Sequence, residues 1–328
     1  MNIRNDYSVI ILTHAPKDDL IMTLKMLLRQ SILPKKILLY NTNESIFYDK
    51  ISEKKILENL IFENRNIIQV YNILEQSFDH GKSRNDAMRM IETDFALFLT
   101  DDAVPYDDKL CENLIETFKA NKTDSEKVAA IYARQIAKTN SRLSEKYVRE
   151  FNYPDYDIIK NKNTEDKLGI KNYFFSNVCA MYDRNIFEIL GGFEENIILN
   201  EDTFYSYKAI NEGYRIIYSS KSLVLHSHNY TFKEQFNRNF DIGVSQSEKK
   251  EIFDKIPLTK EGYRLTRYVT IKLLKGFHFI EIMRFIIECA YRYMGYKKGY
   301  NYKNLSLDCC IAYSSNKEYF KKKNNDKF

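Results

Sequence analysis

Five consecutive apolar residues, Phe95 to Leu99, run into Thr100 and then into two adjacent carboxylates, Asp101 and Asp102. A run this short and this apolar reads as a buried strand. Ending it on paired acids places charge at the edge of a sheet. In an open α/β sheet ligands bind outside the carboxyl ends of the strands. Hard carboxylate oxygens there suit Mg²⁺ or Mn²⁺ bridging a diphosphate. An acidic turn that only closes a strand is the competing reading, so the rest of the chain has to decide.

The flanking sequence alternates strands with helices. A strand over residues 7–12 ends at Thr13, and Leu20, Ile21, Leu24, Leu27 and Leu28 then share a helical face. A strand over 36–40 ends at Asn41. A helix near 51–61, a strand near 66–71, the turn Asp79-His80-Gly81 and a helix over 83–91 lead back to the acidic strand. This alternation makes a parallel, doubly wound sheet the default. A helix over 107–120 and a strand over 128–133 follow. Residues 137–170 are polar, rich in Asn and Lys and almost aperiodic, which reads as a long functional or mobile loop. Beyond them come a strand over 178–182, a helix over 184–190, the turn Gly191-Gly192-Phe193 and a helix opened by Glu201-Asp202. Two separate strands, 215–218 and 223–225, lead to His226-Ser227-His228. From Asn229 onward the pattern is helical, with amphipathic stretches over 264–275 and 280–294.

With 328 residues, the chain exceeds what one hydrophobic core usually serves. The expected division is a domain over 1–250, in halves of about 1–135 and 170–250, and a basic helical region over 251–328. Residues 248–328 hold 18 Lys and Arg against 9 Asp and Glu, a net +9. The remaining 32 against 36 leave the first part at −4. Five cysteines without paired spacing suggest neither a disulfide framework nor a zinc site, so a reducing cytoplasm is expected. The first residues lead straight into a strand, which leaves no room for a signal peptide. No apolar run is long enough for a membrane span.

Several features recur at strand ends or helix starts. Phe78-Asp79-His80-Gly81-Lys82-Ser83-Arg84-Asn85 is followed by Leu97-Phe98-Leu99-Thr100-Asp101-Asp102-Ala103-Val104-Pro105. Later come Glu201-Asp202 and then His226-Ser227-His228-Asn229-Tyr230-Thr231 through Phe240-Asp241-Ile242-Gly243-Val244. Over roughly residues 7–250 this ordered set resembles the family 2 glycosyltransferases, and within them the bacterial rhamnosyltransferase-like branch. A weaker echo lies at Tyr293-Met294-Gly295-Tyr296-Lys297-Lys298-Gly299. The resemblance implies a glycosyltransferase A-type fold, a Rossmann-like mixed sheet flanked by helices with a C-terminal helical appendage.

It also implies an inverting transfer from a nucleotide-diphosphate sugar, L-rhamnose from its thymidine diphosphate donor being favoured, to a surface polysaccharide or lipid-linked glycan. Asp102 matches the last acid of the family's metal motif, and His226 could add a nitrogen ligand to Mg²⁺ or Mn²⁺. Asp101 is an adjacent or water-mediated contributor on the donor side. Thr100 stands where the family commonly has another acid. Asp202 matches the catalytic base. Thr13 and Asn41 fall where the family seats base and ribose, Asp79 and Arg84 at a donor-site turn, and Gly192, Phe193 and Glu201 on the acceptor side. Asp79 could equally cap a helix, and acids at a helix start such as Asp202 suit the helix dipole. The basic tail either meets an anionic membrane at the inner face of the plasma membrane or packs on the catalytic domain. Nucleic acid is not expected, because no binding motif accompanies the charge. The rivals are the same chemistry with a UDP-sugar, an inactive sugar-nucleotide-binding protein, and a nucleotidyltransferase.

Overall fold

The computed structural model of the chain describes residues 6–121, 127–253 and 258–325. These fall into two compact units. One holds residues 1–136, 153–194 and 202–226; the other holds 137–152, 195–201 and 227–328.

The first unit is built on a sheet whose described strands are β1 (Tyr7–Thr13), β2 (Lys36–Thr42), β3 (Ile68–Ile73), β4 (Phe95–Thr100), β5 (Val104–Pro105), β6 (Val128–Ile136), β7 (Ile158–Lys160), β8 (Cys179–Asp183) and β9 (Arg215–Leu225). Their order is β3-β2-β1-β4-β8-β6-β9-β5, with β7 paired to β9. The strands β3, β2, β1 and β4 are mutually parallel. Strand β8 runs antiparallel between β4 and β6, so the sheet is mixed. Val9, Ile11, Leu39, Leu97 and Leu99 pack with Leu20, Leu24 and Leu27 in one continuous core. Parallel strands explain the near-continuous apolar runs read in the sequence, since helices cover both of their faces.

Two expectations about connections are corrected. Residues 137–170 are not a structureless loop: they contain the helix Leu143–Asn152, strand β7 and the short helix Glu165–Leu168. The two strands expected over 215–218 and 223–225 are one strand, β9. Its pairing with β6 jumps from Ala133↔Ser219 to Arg134↔Leu223. The polar residues between form a bulge, in which Asp157 accepts hydrogen bonds from the Ser220 N–H and hydroxyl, both at 2.7 Å. A bulge re-aims the strand without ending it.

In the second unit the helices Phe232–Glu248 and Phe279–Tyr300 cross at backbone contact. A Cβ on Gly243 would strike the Tyr296 carbonyl, and one on Gly299 the Phe240 carbonyl. That close approach leaves room for nothing larger than glycine at either position. Asp241 is buried on the first of these helices, where its carboxylate accepts from the Ser314 hydroxyl at 2.6 Å and the Ser315 N–H at 2.8 Å. Burial nevertheless pushes its pKa up from 3.8 to about 6. A raised acid binds its proton more tightly folded than unfolded, so the stability this group contributes is fully present below pH 4 and is lost as pH rises through 6. The loss from this group is about 3 kcal/mol. Unfolding titrations of wild type and Asp241→Asn between pH 4 and 7 should diverge with rising pH in favour of the variant. A constant difference would remove the assignment.

Candidate active site

Because β1, β2 and β4 are parallel, their carboxyl ends share one rim. Register places Thr13 beside Asn41, Asn41 beside Asn72, and Leu12 beside Thr100. Thr13 and Asn41 are buried and serve each other: the Thr13 hydroxyl donates to Asn41 Oδ1 at 3.0 Å, and Asn41 Nδ2 donates to Asn72 Oδ1 at 2.9 Å. The exposed member of this row is Asn72, a residue not singled out in the sequence. It lines an open hollow of about 630 Å³ with Asn43, Glu44, Ser45 and Glu75. His14 reaches the Thr42 carbonyl at 3.3 Å and lies 4.0 Å from Glu75.

The acids at the end of β4 gain a partner through topology. Strand β5 follows Asp102 by one residue and pairs antiparallel with β9, Val104 opposite Leu225. The residue after Leu225 therefore arrives beside Asp102. His226 Nε2 lies 3.5 Å from Asp102 Oδ1. The imidazole is buried and its Nδ1 is 2.9 Å from Gln135 Oε1, while Gln135 Nε2 donates to the Ser176 hydroxyl at 2.9 Å. A glutamine oxygen only accepts, so Nδ1 carries the proton there and Nε2 is the nitrogen that faces the carboxylate. Ligand atoms about 2.1 Å from a common six-coordinate ion stand roughly 3 Å apart, close to the spacing found. One imidazole beside one carboxylate is a donor set that suits Mn²⁺ and tolerates Mg²⁺. Asp101 lies half-buried in the turn between Thr100 and Asp102. His228, in the second unit, stacks on Tyr230 with ring centroids 4.7 Å apart.

Asp202 belongs to the same neighbourhood. Its Oδ2 accepts from the Asn177 N–H at 3.0 Å and its Oδ1 from the Thr203 N–H at 2.7 Å. The next residue after Asn177, Val178, accepts from the Thr100 N–H at 3.1 Å. Asp202 is thus tied, through two consecutive residues, to the strand end that carries Asp101 and Asp102. Neighbouring Glu201 is buried at the start of the helix Glu201–Asn211.

Asp79 caps the helix His80–Arg89, accepting from the Lys82 N–H at 2.7 Å. The Arg84 side chain folds back to that helix's first turn and donates to the His80 carbonyl at 3.0 Å. Asn85 clamps the turn expected on the acceptor side, donating to the Phe193 carbonyl and accepting from its N–H, both at 2.9 Å. Gly192 has φ +73°, and a Cβ there would meet Asn85 Oδ1 at 2.6 Å. Only glycine keeps both that turn and the clamp. The Phe193 ring is buried among Phe98, Tyr182, Phe187 and Tyr205. Asn85, Gln135 and Asn72 were not chosen from the sequence. Asn85 closes the segment 78–85 quoted in the sequence analysis without a role of its own, and nothing local marks the others.

No helix among the described residues is long and apolar enough to cross a membrane. All five cysteines are free. Residues 8–191 match the family model described as glycosyl transferase family 2. The O-antigen chain rhamnosyltransferase RfbN of Salmonella typhimurium is 36% identical over 255 residues, 77% of this chain and 79% of that protein. The O-antigen chain rhamnosyltransferase WbaN of Salmonella anatum is 36% identical over 265 residues, 79% and 82%. Among solved structures, the mannosyltransferase PcManGT from Pyrobaculum calidifontis, in complex with GDP-Man and Mn²⁺, superimposes with a TM-score of 0.58 at 13% identity, covering 92% of this chain and 91% of that one. Residues 1–349 of S. aureus TarS, in complex with UDP-GlcNAc, give 0.50 at 15% identity, covering 91% and 92%. These two likenesses concern the fold, the mixed sheet flanked by helices that the glycosyltransferase A-type architecture requires. The match over more than half of the chain, with relatives 36% identical across most of their length, makes this protein a glycosyltransferase of family 2.

Proposed function

We propose that the chain is a metal-dependent, inverting rhamnosyltransferase that moves L-rhamnose from dTDP-L-rhamnose onto a growing surface polysaccharide or lipid-linked glycan. The observation that carries it is the Asp102–His226 pair, aligned by Gln135 and joined through Thr100, Val178 and Asn177 to the carboxylate of Asp202. The 36% identity to two O-antigen rhamnosyltransferases supports the choice of sugar.

Asp102 and His226 Nε2 would hold the divalent cation, which would offset the negative charge that collects on the departing diphosphate. Asp101 and Arg84 stand on the donor side, and the start of the helix capped by Asp79 adds N–H groups that favour anions. Thr13 and Asn41 act through Asn72, which presents its amide to the base and ribose. Asp202 takes the proton of the acceptor hydroxyl, its orientation set by two backbone N–H donors. Glu201, Gly192 and Phe193 shape the acceptor side by holding the backbone around it. A lipid-linked acceptor would bring the enzyme to the inner face of the plasma membrane.

Release of nucleoside diphosphate by the purified protein, measured across dTDP-L-rhamnose, UDP-galactose, UDP-N-acetylglucosamine and GDP-mannose with and without EDTA, tests the reading. Turnover with dTDP-L-rhamnose alone, stopped by EDTA, is expected. Turnover with UDP-hexoses only would overturn the sugar, indifference to EDTA the metal, and release of pyrophosphate the reaction class. Gln135→Ala should raise the Mn²⁺ concentration for half-maximal rate by about 10- to 100-fold, because it frees the imidazole to rotate and change tautomer. Full rate at saturating Mn²⁺ would mark Gln135 as a positioning residue. An unchanged Mn²⁺ requirement would dissociate it from the cation.

A further inference from the structure

The helices Leu258–Lys275 and Phe279–Tyr300 form a hairpin with its own core. Val269, Leu273, Ile282 and Phe285 are buried together, with Tyr147 and Val148 packed against them. The tip of the hairpin buries little. Phe277 and Ile280 are 78% and 86% exposed, and Leu274, Phe279 and Met283 are exposed with them. Isolated surface hydrophobics are ordinary; five large ones gathered at one turn are not.

The backbone of the turn sharpens the point. His278 N–H donates to the Leu273 carbonyl and Phe277 N–H to the Leu274 carbonyl, both at 3.0 Å. This is a Schellman helix end, whose left-handed position usually belongs to glycine. Here that position is Phe277, at φ +56°. A bulky residue is strained in that region, and at 78% exposure Phe277 recovers almost nothing by packing. Its ring neighbour is Phe279, with centroids 6.4 Å apart. Neither local conformation nor this unit's core accounts for a phenylalanine there, whereas an external apolar medium does.

Charge selects the medium. Between residues 262 and 287 the chain carries Arg264, Arg267, Lys272, Lys275 and Arg284 against Glu281; Arg264, Lys272 and Arg284 are ion-paired with Glu261, Glu150 and Glu288, so the surplus near the tip rests on Arg267 and Lys275. Two copies docked tip to tip would set these cations against each other, because a two-fold contact presents the same patch from both sides. An anionic lipid surface complements both features, acyl chains receiving the apolar side chains and phosphates the basic ones.

We propose that the tip formed by Leu274, Phe277, Phe279, Ile280 and Met283 inserts into the interface of an anionic bilayer, with Lys275 at the level of the headgroups. The proposed function supplies a purpose for this contact, a lipid-linked acceptor, but the contact is measurable without any donor sugar, so either idea can fail alone. The test is co-sedimentation of the full chain with vesicles of phosphatidylglycerol and phosphatidylcholine, compared with phosphatidylcholine alone. Binding to the anionic vesicles, weakened by salt, is expected. Replacing Phe277, Phe279 and Ile280 together with serine should lower that binding by at least about tenfold, with donor turnover in solution unchanged. Phe277→Gly separates the contact from folding: it should raise the melting temperature by relieving the left-handed strain and still weaken vesicle binding. Equal binding by parent and variants would overturn the proposal. So would a concentration-dependent dimer in ultracentrifugation that the triple variant dissociates, which would assign the tip to a second copy.

Discussion

Asp202→Asn is expected to lower turnover by roughly a hundred- to ten-thousand-fold while leaving donor affinity within a factor of two. Removing a general base from a transfer reaction costs about that much. The substitution is nearly isosteric, and the amide oxygen can still accept from the Thr203 or the Asn177 N–H that now holds the carboxylate. The helix Glu201–Asn211 should therefore keep its start, and a thermal melt would report it. The decisive measurement is the split between kcat and donor binding by calorimetry. A variant that keeps at least a tenth of the wild-type rate would exclude Asp202 as the base. One that loses donor binding instead would move the residue to the donor side.

Asp102→Ala should be comparably severe by a different route. Neutralising charge on a leaving diphosphate is worth several kcal/mol, so losing the carboxylate beside His226 should lower kcat/KM by about a thousandfold. Excess Mn²⁺ should restore little, since the anionic ligand is gone and neutral imidazole binds the ion weakly without it. Replacing His226 with alanine should hurt less and respond more to added Mn²⁺, because the anionic ligand remains. The order of the two variants is the check: if loss of the imidazole proved the more damaging, or if neither changed the Mn²⁺ requirement, the cation would have to be held elsewhere.

The parts of this site that were legible in the sequence lie where a strand stops. Leu99 to Asp102 announces its own edge, because a buried apolar run can end on carboxylates only at a rim. Thr13 and Asn41 could be placed at strand ends in the same way, since parallel strands end on the same side, but their roles came from the family resemblance. Asn41 is fully buried and its amide is engaged by Thr13 and Asn72, an arrangement no local pattern announces. The helix Leu143–Asn152 was not legible. It is flanked by polar sequence, and it packs on Tyr268 and on the core of Val269 and Leu273, more than a hundred residues away. The bulge in β9 was hidden for a related reason. A run of Ser-Ser-Lys-Ser looks like a break, and only Asp157 from another segment lets the strand continue through it.

By itself the sequence determined which residues carry charge and where the apolar strands β1 and β4 run out, because hydrophobic periodicity and the chemistry of a side chain are local. Only the tertiary structure decided which of those ends meet. The antiparallel pairing of β5 with β9 brings His226 to Asp102, and Gln135 on β6 then selects the nitrogen that faces it. Pairing and register are set by the packing of the whole sheet, and no stretch of chain shorter than the sheet contains that information.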